Sequence, residues 1–151
     1  MLYDADCGFC RWSLGRVLAL DRHRRLRPLA LGTEEADALL SDLEPEERAA
    51  SWHLVSPDGR RWSAGAAAPP LLRLLPRGRA PSVILARAPN LTERAYRWVA
   101  DHRSWFSKLI SEAAKARADA RIAQAAADTE SQAAGGTESQ AASSAGSLAS
   151  R

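Results

Sequence analysis

The sequence predicts an α/β sandwich, because short strand-like runs alternate with amphipathic helical patterns over residues 1–111. Three observations carry this prediction. An apolar start is followed directly by a helical pattern, a Pro-Asp-Gly turn separates two strand-like runs, and 151 residues are enough for one domain of ordinary size. The expected order of elements is β-α-β-α-β-β-α with an extra C-terminal helix.

The first half of the chain is typical of a βαβ unit followed by a helix. Residues 2–4 resemble the end of a strand, and apolar residues recur at helical spacing over residues 8–20. Residues 24–31 form an extended run that contains Pro28, which indicates a second strand. Thr33 is followed by two glutamates, and this pattern predicts a capped helix start.

The second half is typical of a ββα unit. Residues 52–55 and 60–63 are short strand-like runs on either side of Pro-Asp-Gly, so they predict a hairpin. The next predicted helix covers residues 66–75, and its two prolines should lie in its first turn. A βαβ unit followed by a ββα unit is the element order of a thioredoxin-like three-layer sandwich.

The last helix of the predicted domain begins near Asn90. Asn90 and Glu93 resemble a capping box, and apolar residues continue through Trp105 before the helix frays beyond Ile110. We expect the tryptophans at positions 12, 98 and 105 to lie on apolar helix faces and to belong to the core.

We place a domain boundary at residue 111. Residues 112–151 are rich in Ala, Ser, Gln and Gly, and they repeat the run Thr-Glu-Ser-Gln-Ala-Ala. A segment of this composition buries too little apolar surface to offset the entropy lost on ordering it. We therefore expect a thioredoxin-like domain over residues 1–111 and, over residues 112–151, a tail whose helix frays into disorder.

Composition and charge argue against a nucleic-acid or membrane protein. The net charge is +3, and the densest basic cluster, the arginines at positions 22–27, has no aromatic residues between them. This cluster could meet phosphate, but a solvated turn is the favoured interpretation. No stretch reaches the roughly 20 apolar residues of a membrane span, and no signal peptide is visible. We expect a monomer that is located in the cytoplasm. Lasting structural disulfides are rare in that compartment.

The two cysteines of the chain, Cys7 and Cys10, form a Cys-x-x-Cys pair between the first strand and the first helix. A cytosolic pair of this kind is either redox-active or half of a metal site. The three histidines are not spaced as paired ligands, so we expect no metal and no cofactor. The start of a helix stabilises a thiolate, which makes Cys7 the expected nucleophile and Cys10 the resolving thiol.

Two carboxylates, Asp4 and Asp6, oppose this effect. A carboxylate about 7 Å from a thiolate costs roughly 2 kcal/mol at an effective dielectric of about 20, and a helix terminus contributes at most about 2 kcal/mol. The two effects nearly cancel, so we expect Cys7 to ionise near neutral pH. Asp4 is either the acceptor of the Cys10 proton or a carboxylate without that role, which is exposed in the loop or caps the helix start, and the residues alone leave both interpretations open.

These residues resemble the Asp-x-x-Cys-x-x-Cys signature of the DCC family of thiol-disulfide oxidoreductases, a thioredoxin-like group. Further similarities are Tyr3 before Asp4, the Asp21-Arg22 pair, the Gly-x-x-Ala helix start at Gly65, and the Tyr-x-x-x-Ala-x-x-Arg pattern from Tyr96 to Arg103. The first strand is shorter than is usual in the family. In addition, Ala50-Ser51 stand where classical thioredoxins have a cis-proline.

The resemblance implies an enzyme that cycles Cys7 and Cys10 between dithiol and disulfide. Its catalytic residues would be Cys7, Cys10 and Asp4, and its partners would be a thiol or disulfide of a protein substrate and a thiol reductant. The alternative is a non-catalytic thioredoxin-like redox sensor or adaptor, in which the disulfide only switches a contact with a partner. Catalytic turnover distinguishes these two functions.

Overall fold

The structure, a computed structural model, describes the backbone of residues 1–148 and the side chains of residues 1–131. Within these residues a four-stranded mixed sheet is combined with eight α-helices. The strands are β1 (Leu2–Tyr3), β2 (Leu29–Ala30), β3 (His53–Val55) and β4 (Arg61–Ser63). The helices are α1 (Gly8–Leu20), α2 (Glu34–Leu39), α3 (Pro45–Ala50), α4 (Ala68–Leu74), α5 (Arg79–Arg87), α6 (Pro89–Asp101), α7 (Arg103–Leu109) and α8 (Glu112–Leu148), with a 3-10 turn at Ala64–Ala67.

The strands are arranged in the order β2-β1-β3-β4. Strands β1 and β2 are parallel, with Leu2 opposite Leu29, and α1 connects them. Strand β3 is antiparallel to β1 and forms a hairpin with β4, in which Leu54 lies opposite Trp62. The mixed α/β class that the sequence predicts is therefore confirmed.

Helices cover both faces of this sheet. Successive side chains of a strand point to opposite faces, so Leu54 and Val55 contact different parts of the core. Leu54 belongs to a cluster with Leu26, Ala67 and Leu71, against which α1 and α4 pack. Val55 packs on a second cluster, which consists of Leu2, Ala36 and Leu40 and includes the buried face of α2.

Several local predictions are confirmed. Helix α1 spans Gly8–Leu20, the range that the apolar spacing predicts. Thr33 caps α2, because its hydroxyl oxygen accepts a hydrogen bond from a backbone N–H one turn later. Gly59 occupies the hairpin turn with a φ of +81°, a conformation that favours glycine. Pro69 and Pro70 lie in the first turn of α4, where a missing N–H costs little.

The second strand is much shorter than predicted. Only Leu29 and Ala30 pair with β1, whereas residues 24–28 have no regular secondary structure and follow a turn at residues 22–23. The carboxylate of Asp21 holds this turn by accepting a hydrogen bond from the Leu26 N–H at 2.7 Å, and Arg24 adopts a φ of +48°. The arginine cluster therefore lies in an exposed turn.

The predicted capping box at Asn90 is wrong. Helix α6 begins after Ala88, because Pro89 fits the first helical position. The carboxylate of Glu93 instead accepts a hydrogen bond from the Gly65 N–H at 3.0 Å, which ties α6 to the 3-10 turn. The long helix predicted through Trp105 is also interrupted, so α6 and α7 are separate helices.

The sequence predicts a tail whose helix frays into disorder over residues 112–151, and residues 112–131 belong to α8. Alanine has the highest intrinsic helix propensity, and the composition that argued against a packed domain suits a helix. The expected disorder of residues 149–151 lies outside the described residues, and the domain boundary at residue 111 stays a prediction. Although α8 is 37 residues long, neither it nor another described helix is apolar enough to cross a membrane.

Helix α8 packs closely on α1. Ala118 and Ile122 are buried, with 2% and 8% of their surface exposed. The contact is close because Gly15 of α1 has no side chain, and a Cβ there would lie 2.5 Å from the Ala118 Cβ. Two ion pairs flank the contact, Arg11 with Asp119 and Arg24 with Asp128.

Candidate active site

The two cysteines lie at the N-terminus of α1, just after the loop that leaves β1. Cys7 is the N-cap residue, and its Sγ accepts a hydrogen bond from the Cys10 N–H at 3.2 Å. This position puts the Cys7 sulfur at the positive end of the helix dipole. Cys7 and Cys10 are disulfide-bonded, with Cα atoms 5.2 Å apart, a separation that disulfides commonly span.

Asp4 contacts both the loop and the opposite side of the site. Its Oδ1 accepts hydrogen bonds from the backbone N–H groups of Asp6 at 2.9 Å and Cys7 at 3.2 Å. Its Oδ2 lies 3.6 Å from a guanidinium nitrogen of Arg103. The carboxylate therefore fixes the backbone of the loop that presents Cys7, whereas Cys7 itself is the N-cap of the helix.

Asp4 also lies near both sulfur atoms. Within the part of the chain that the structure describes, Asp4, Cys7 and Cys10 form the one group of metal-ligating side chains whose ligand atoms approach each other within 4.8 Å. Structural zinc sites use four protein ligands, and both sulfurs here are bonded to each other. The Asp4 carboxylate thus lies within 4.8 Å of both sulfur atoms.

The cysteine pair separates two different environments. On the Cys7 side is an open groove whose charged side chains are Asp4, Asp6, Arg103, Lys108, Glu112 and Lys115. We call it the Cys7 groove. It contains three carboxylates and three cations, so the charges of its walls balance. The negative effect of Asp4 and Asp6, on which the sequence-based expectation for Cys7 rested, is therefore offset by cations that come from distant parts of the chain.

Lys115 brings α8 into the Cys7 groove. Only 16% of its side chain is exposed, and its ammonium group lies 2.7 Å from the Glu112 carboxylate. The aliphatic part of the Lys115 side chain packs over the first turn of α1. A Cβ atom added at Gly8 would lie 3.5 Å from the Lys115 Cε. The segment that the sequence assigned to a tail thus supplies a largely buried cation beside the redox pair.

On the Cys10 side is an apolar cavity of about 270 Å³, which we call the Cys10 cavity. Its apolar walls come from α1, α4, α6 and the residues before β3, and they include Phe9, Leu14, Val17, Trp52, Leu71 and Val99. A few polar groups accompany them. Burial raises the pKa of the Tyr3 and Tyr96 hydroxyls, so both stay protonated at neutral pH.

The residues that carry the family resemblance converge on this cavity. Tyr96, Ala100 and Arg103 follow each other at spacings of four and three, which puts them on one side of α6 and the start of α7. All three line the Cys10 cavity, together with Tyr3 and Asp4. Sequence reasoning used this pattern for the resemblance but did not assign Tyr96 or Arg103 to the site, although their helical spacing was a signal.

Two predicted core tryptophans are exposed instead. Trp98 and Trp105 each leave 55% of their surface in solvent, whereas Trp12 is half-buried. The reason is that Val99 and Ala100 take the inward positions of α6, and the helix break places Trp105 on a separate helix.

These tryptophans form one aromatic surface with two phenylalanines, Phe9 and Phe106. The Phe106 ring lies 5.4 Å from Phe9, 5.9 Å from Trp98 and 5.0 Å from Trp105, measured between ring centroids. Because Phe9 also lines the Cys10 cavity, the aromatic surface continues into that cavity.

Comparison with known proteins agrees with this site. A model of the DCC1-like thiol-disulfide oxidoreductase family matches residues 1–109. No curated protein and no solved structure matches the chain. The family match covers well over half of the chain, and the bonded Cys7–Cys10 pair supports a thiol-disulfide redox role. The chain therefore belongs to the DCC1-like thiol-disulfide oxidoreductase family.

Proposed function

We propose that this protein is an enzyme that exchanges disulfides with protein thiols through Cys7 and Cys10. The observation that carries the proposal is the asymmetry of the pair. The Cys7 sulfur is at a helix N-terminus beside a charged groove, whereas Cys10 borders an apolar cavity. A polar environment with cations favours a thiolate, and an apolar one favours a neutral thiol. The two cysteines therefore have different roles.

The order and pairing of the strands support the thioredoxin-like fold that we propose for this chain. The Cys-x-x-Cys pair precedes the helix that joins two parallel strands, and an antiparallel hairpin completes the sheet. Residues around Ser51, which precede β3, contact the same cavity as Cys10. A substrate that approaches the pair would therefore meet the loop before β3, even though this loop contains no proline at positions 50 and 51.

Cys7 is the nucleophile in this proposal. Because the carboxylates and cations of the Cys7 groove balance, the helix terminus is left as the dominant influence on the Cys7 thiolate. The positive end of α1 therefore favours the Cys7 thiolate over the thiol, and ionisation near neutral pH stays a prediction from the sequence. Cys10, next to the apolar cavity, stays protonated until it resolves the mixed disulfide.

The exchange proceeds in two steps. In the reducing direction, the Cys7 thiolate attacks one sulfur of a substrate disulfide, so a Cys7–substrate disulfide forms and the other substrate sulfur leaves as a thiolate. Cys10 then loses its proton and attacks the Cys7 sulfur, which forms the Cys7–Cys10 bond and releases the second substrate sulfur. Two electrons pass to the substrate, its two sulfurs take up two protons, and a dithiol reductant regenerates the enzyme.

Asp4 is the proposed proton acceptor for Cys10. Its carboxylate is near both sulfurs, and its contacts with the loop and with Arg103 hold it in place. Removing the Cys10 proton as that sulfur attacks is general base catalysis, and returning the proton to the leaving substrate sulfur completes the cycle.

Reduction of insulin by a dithiol donor tests the proposal. We expect the wild-type protein to accelerate the reaction over many turnovers, and we expect Cys7→Ser to abolish the acceleration. The matched variant is Cys10→Ser, which also lacks the disulfide but keeps the nucleophile, so it should accumulate a covalent adduct with the substrate. If Cys7→Ser forms the adduct and Cys10→Ser does not, the assignment of roles is reversed.

The alternative, a redox sensor or adaptor, predicts a different result. Such a protein would be oxidised once, in a stoichiometric amount, and would not turn over. A single equivalent of oxidised protein with no further insulin reduction would therefore contradict the proposed enzyme.

A further inference from the structure

The size of the Cys10 cavity limits what it can hold. An apolar cavity of about 150 Å³ accommodates a benzene ring, and pockets for small-molecule ligands usually exceed about 300 Å³. The Cys10 cavity, at about 270 Å³, lies between these values. It therefore fits one large aliphatic or aromatic side chain better than a cofactor.

The cavity lies between the disulfide and the protein surface. Cys10 forms part of its wall, and so do Ala49 of α3 and Arg103 of α7, both of which are exposed to solvent. A side chain entering past these two residues would lie against Cys10. Cys7 is bonded to Cys10, so a substrate sulfur that reacts with Cys7 must come close to this cavity. The side chain in the cavity would therefore belong to a residue within a few positions of the reacting substrate cysteine.

The aromatic surface indicates that the occupant belongs to a protein. Trp98 and Trp105 are both 55% exposed, and Phe106 connects them to Phe9 at the cavity wall. Tryptophan and phenylalanine are enriched in the centres of protein–protein interfaces. A small molecule held in the cavity would not need this surface, whereas a polypeptide that crosses it would cover it.

We propose that the Cys10 cavity is a specificity site that receives a large apolar side chain of a protein disulfide substrate, located next to the reacting cysteine of that substrate. This inference rests on the proposed function, because it names the substrate of the same exchange reaction. The side chain takes part in no bond change. Its burial positions the substrate sulfur near Cys7, and the segment around it covers Phe9, Trp98 and Trp105.

The test uses three disulfide substrates and the full-length protein with a dithiol donor. Two are fluorescence-quenched peptide dimers, joined through one cysteine each, which are identical except that Leu or Ala follows the cysteine. The third is hydroxyethyl disulfide, which has no side chain to bury. Burial of a leucine side chain predicts a kcat/KM about tenfold higher for the Leu peptide than for the Ala peptide.

Two variants alter the cavity, and one serves as control. Ala100→Leu fills the interior of the cavity, and Ala49→Trp obstructs its exposed rim. Because Ala49 is exposed, the second variant should fold even if the first does not. Both should reduce the preference for the Leu peptide to about twofold or less. Ala95→Leu lies on the same helix, is exposed and does not line the cavity, so the preference should be kept.

The outcomes separate this inference from the proposed function. If the wild-type protein turns over neither insulin nor any of these disulfides, the proposed function fails and this inference fails with it. If it does turn over but reduces both peptides equally fast, only the cavity proposal is overturned. A preference for the Leu peptide that persists in both cavity variants assigns the cavity to a packing void. Either result overturns the inference.

Discussion

Replacing Gly15 by alanine should push α8 away from α1 and destabilise the protein, although alanine is the better helix former. A Cβ at this position would lie 2.5 Å from the Cβ and 2.6 Å from the Cα of Ala118. Carbon atoms in contact prefer separations of about 3.5–4.0 Å. Because part of the obstruction is backbone, no side-chain rotation relieves it, and α8 must retreat by about 1 Å.

The change in the free energy of unfolding is the sum of two opposing effects. Alanine in place of glycine inside a helix stabilises it by about 1 kcal/mol. Overfilling a packed contact costs about 1–3 kcal/mol, and a backbone obstruction favours the upper end of that range. We therefore expect Gly15→Ala to lower the free energy of unfolding by about 1–2 kcal/mol. With a urea m-value of roughly 1.5 kcal/mol/M, the unfolding midpoint falls by about 1 M.

Urea unfolding of the oxidised protein, followed by tryptophan fluorescence and by circular dichroism, measures this change. The control is Arg16→Ala, which alters the next, exposed residue of α1 and should shift the free energy by no more than about 0.5 kcal/mol. A Gly15→Ala protein as stable as the wild type, or more stable, would refute the close docking of α8 on α1.

Three further predictions concern the redox site and the core. Replacing Lys115 by methionine should slow alkylation of reduced Cys7 at pH 7 by about two- to fivefold, the effect of one partly screened charge. Asp4→Asn should slow the second step of exchange, seen as slower release of substrate thiol between pH 6 and 8. Burial holds the pKa of His53 below its usual value, so its contribution to stability is complete above about pH 6.5 and is lost as the pH falls below that value. The urea midpoint should therefore be lower at pH 5 than at pH 7.5, and His53→Gln should reduce the difference.

Each of these predictions has a control and a contradictory result. For Lys115 the control is Arg87→Met, an exposed change outside the Cys7 groove, and equal alkylation rates in the two variants would exclude a role for Lys115. An Asp4→Asn protein that works at the wild-type rate throughout pH 6–8 would remove the proton-acceptor role. A pH dependence unchanged in His53→Gln would show that other groups cause it.

Local sequence patterns predicted the elements that depend on neighbouring residues. Helix α1, the Thr33 cap and the hairpin turn at Gly59 each follow from spacing or conformational preference within a few residues. The failures arose where distant contacts intervene. Glu93 bonds to Gly65 rather than to its own helix start, and the Asp21 carboxylate bonds to the Leu26 N–H within the run that was predicted as a strand.

Composition did not determine how the C-terminal segment packs. Low complexity and small side chains argued for disorder, yet small side chains are also what allows two helices to approach closely. Ala118 finds its partner in Gly15, more than a hundred residues earlier, and neither residue alone signals the contact. The exposure of Trp98 and Trp105 also depends on distant contacts. Val99 and Ala100 of α6 face the Cys10 cavity in place of Trp98, and Trp105 lies on the separate helix α7.

The sequence by itself determined the cysteine pair and the carboxylate that precedes it. Cys7 and Cys10 are three residues apart in a single helical turn, and Asp4 is close enough along the chain to bond to the Cys7 N–H. Only the tertiary structure decided what surrounds them. Arg103 and Lys115 reach the pair from separate helices, and the charged groove and the apolar cavity arise where several elements meet. Spacing along the chain governs a local bond, whereas charge balance and cavity shape depend on packing between distant segments.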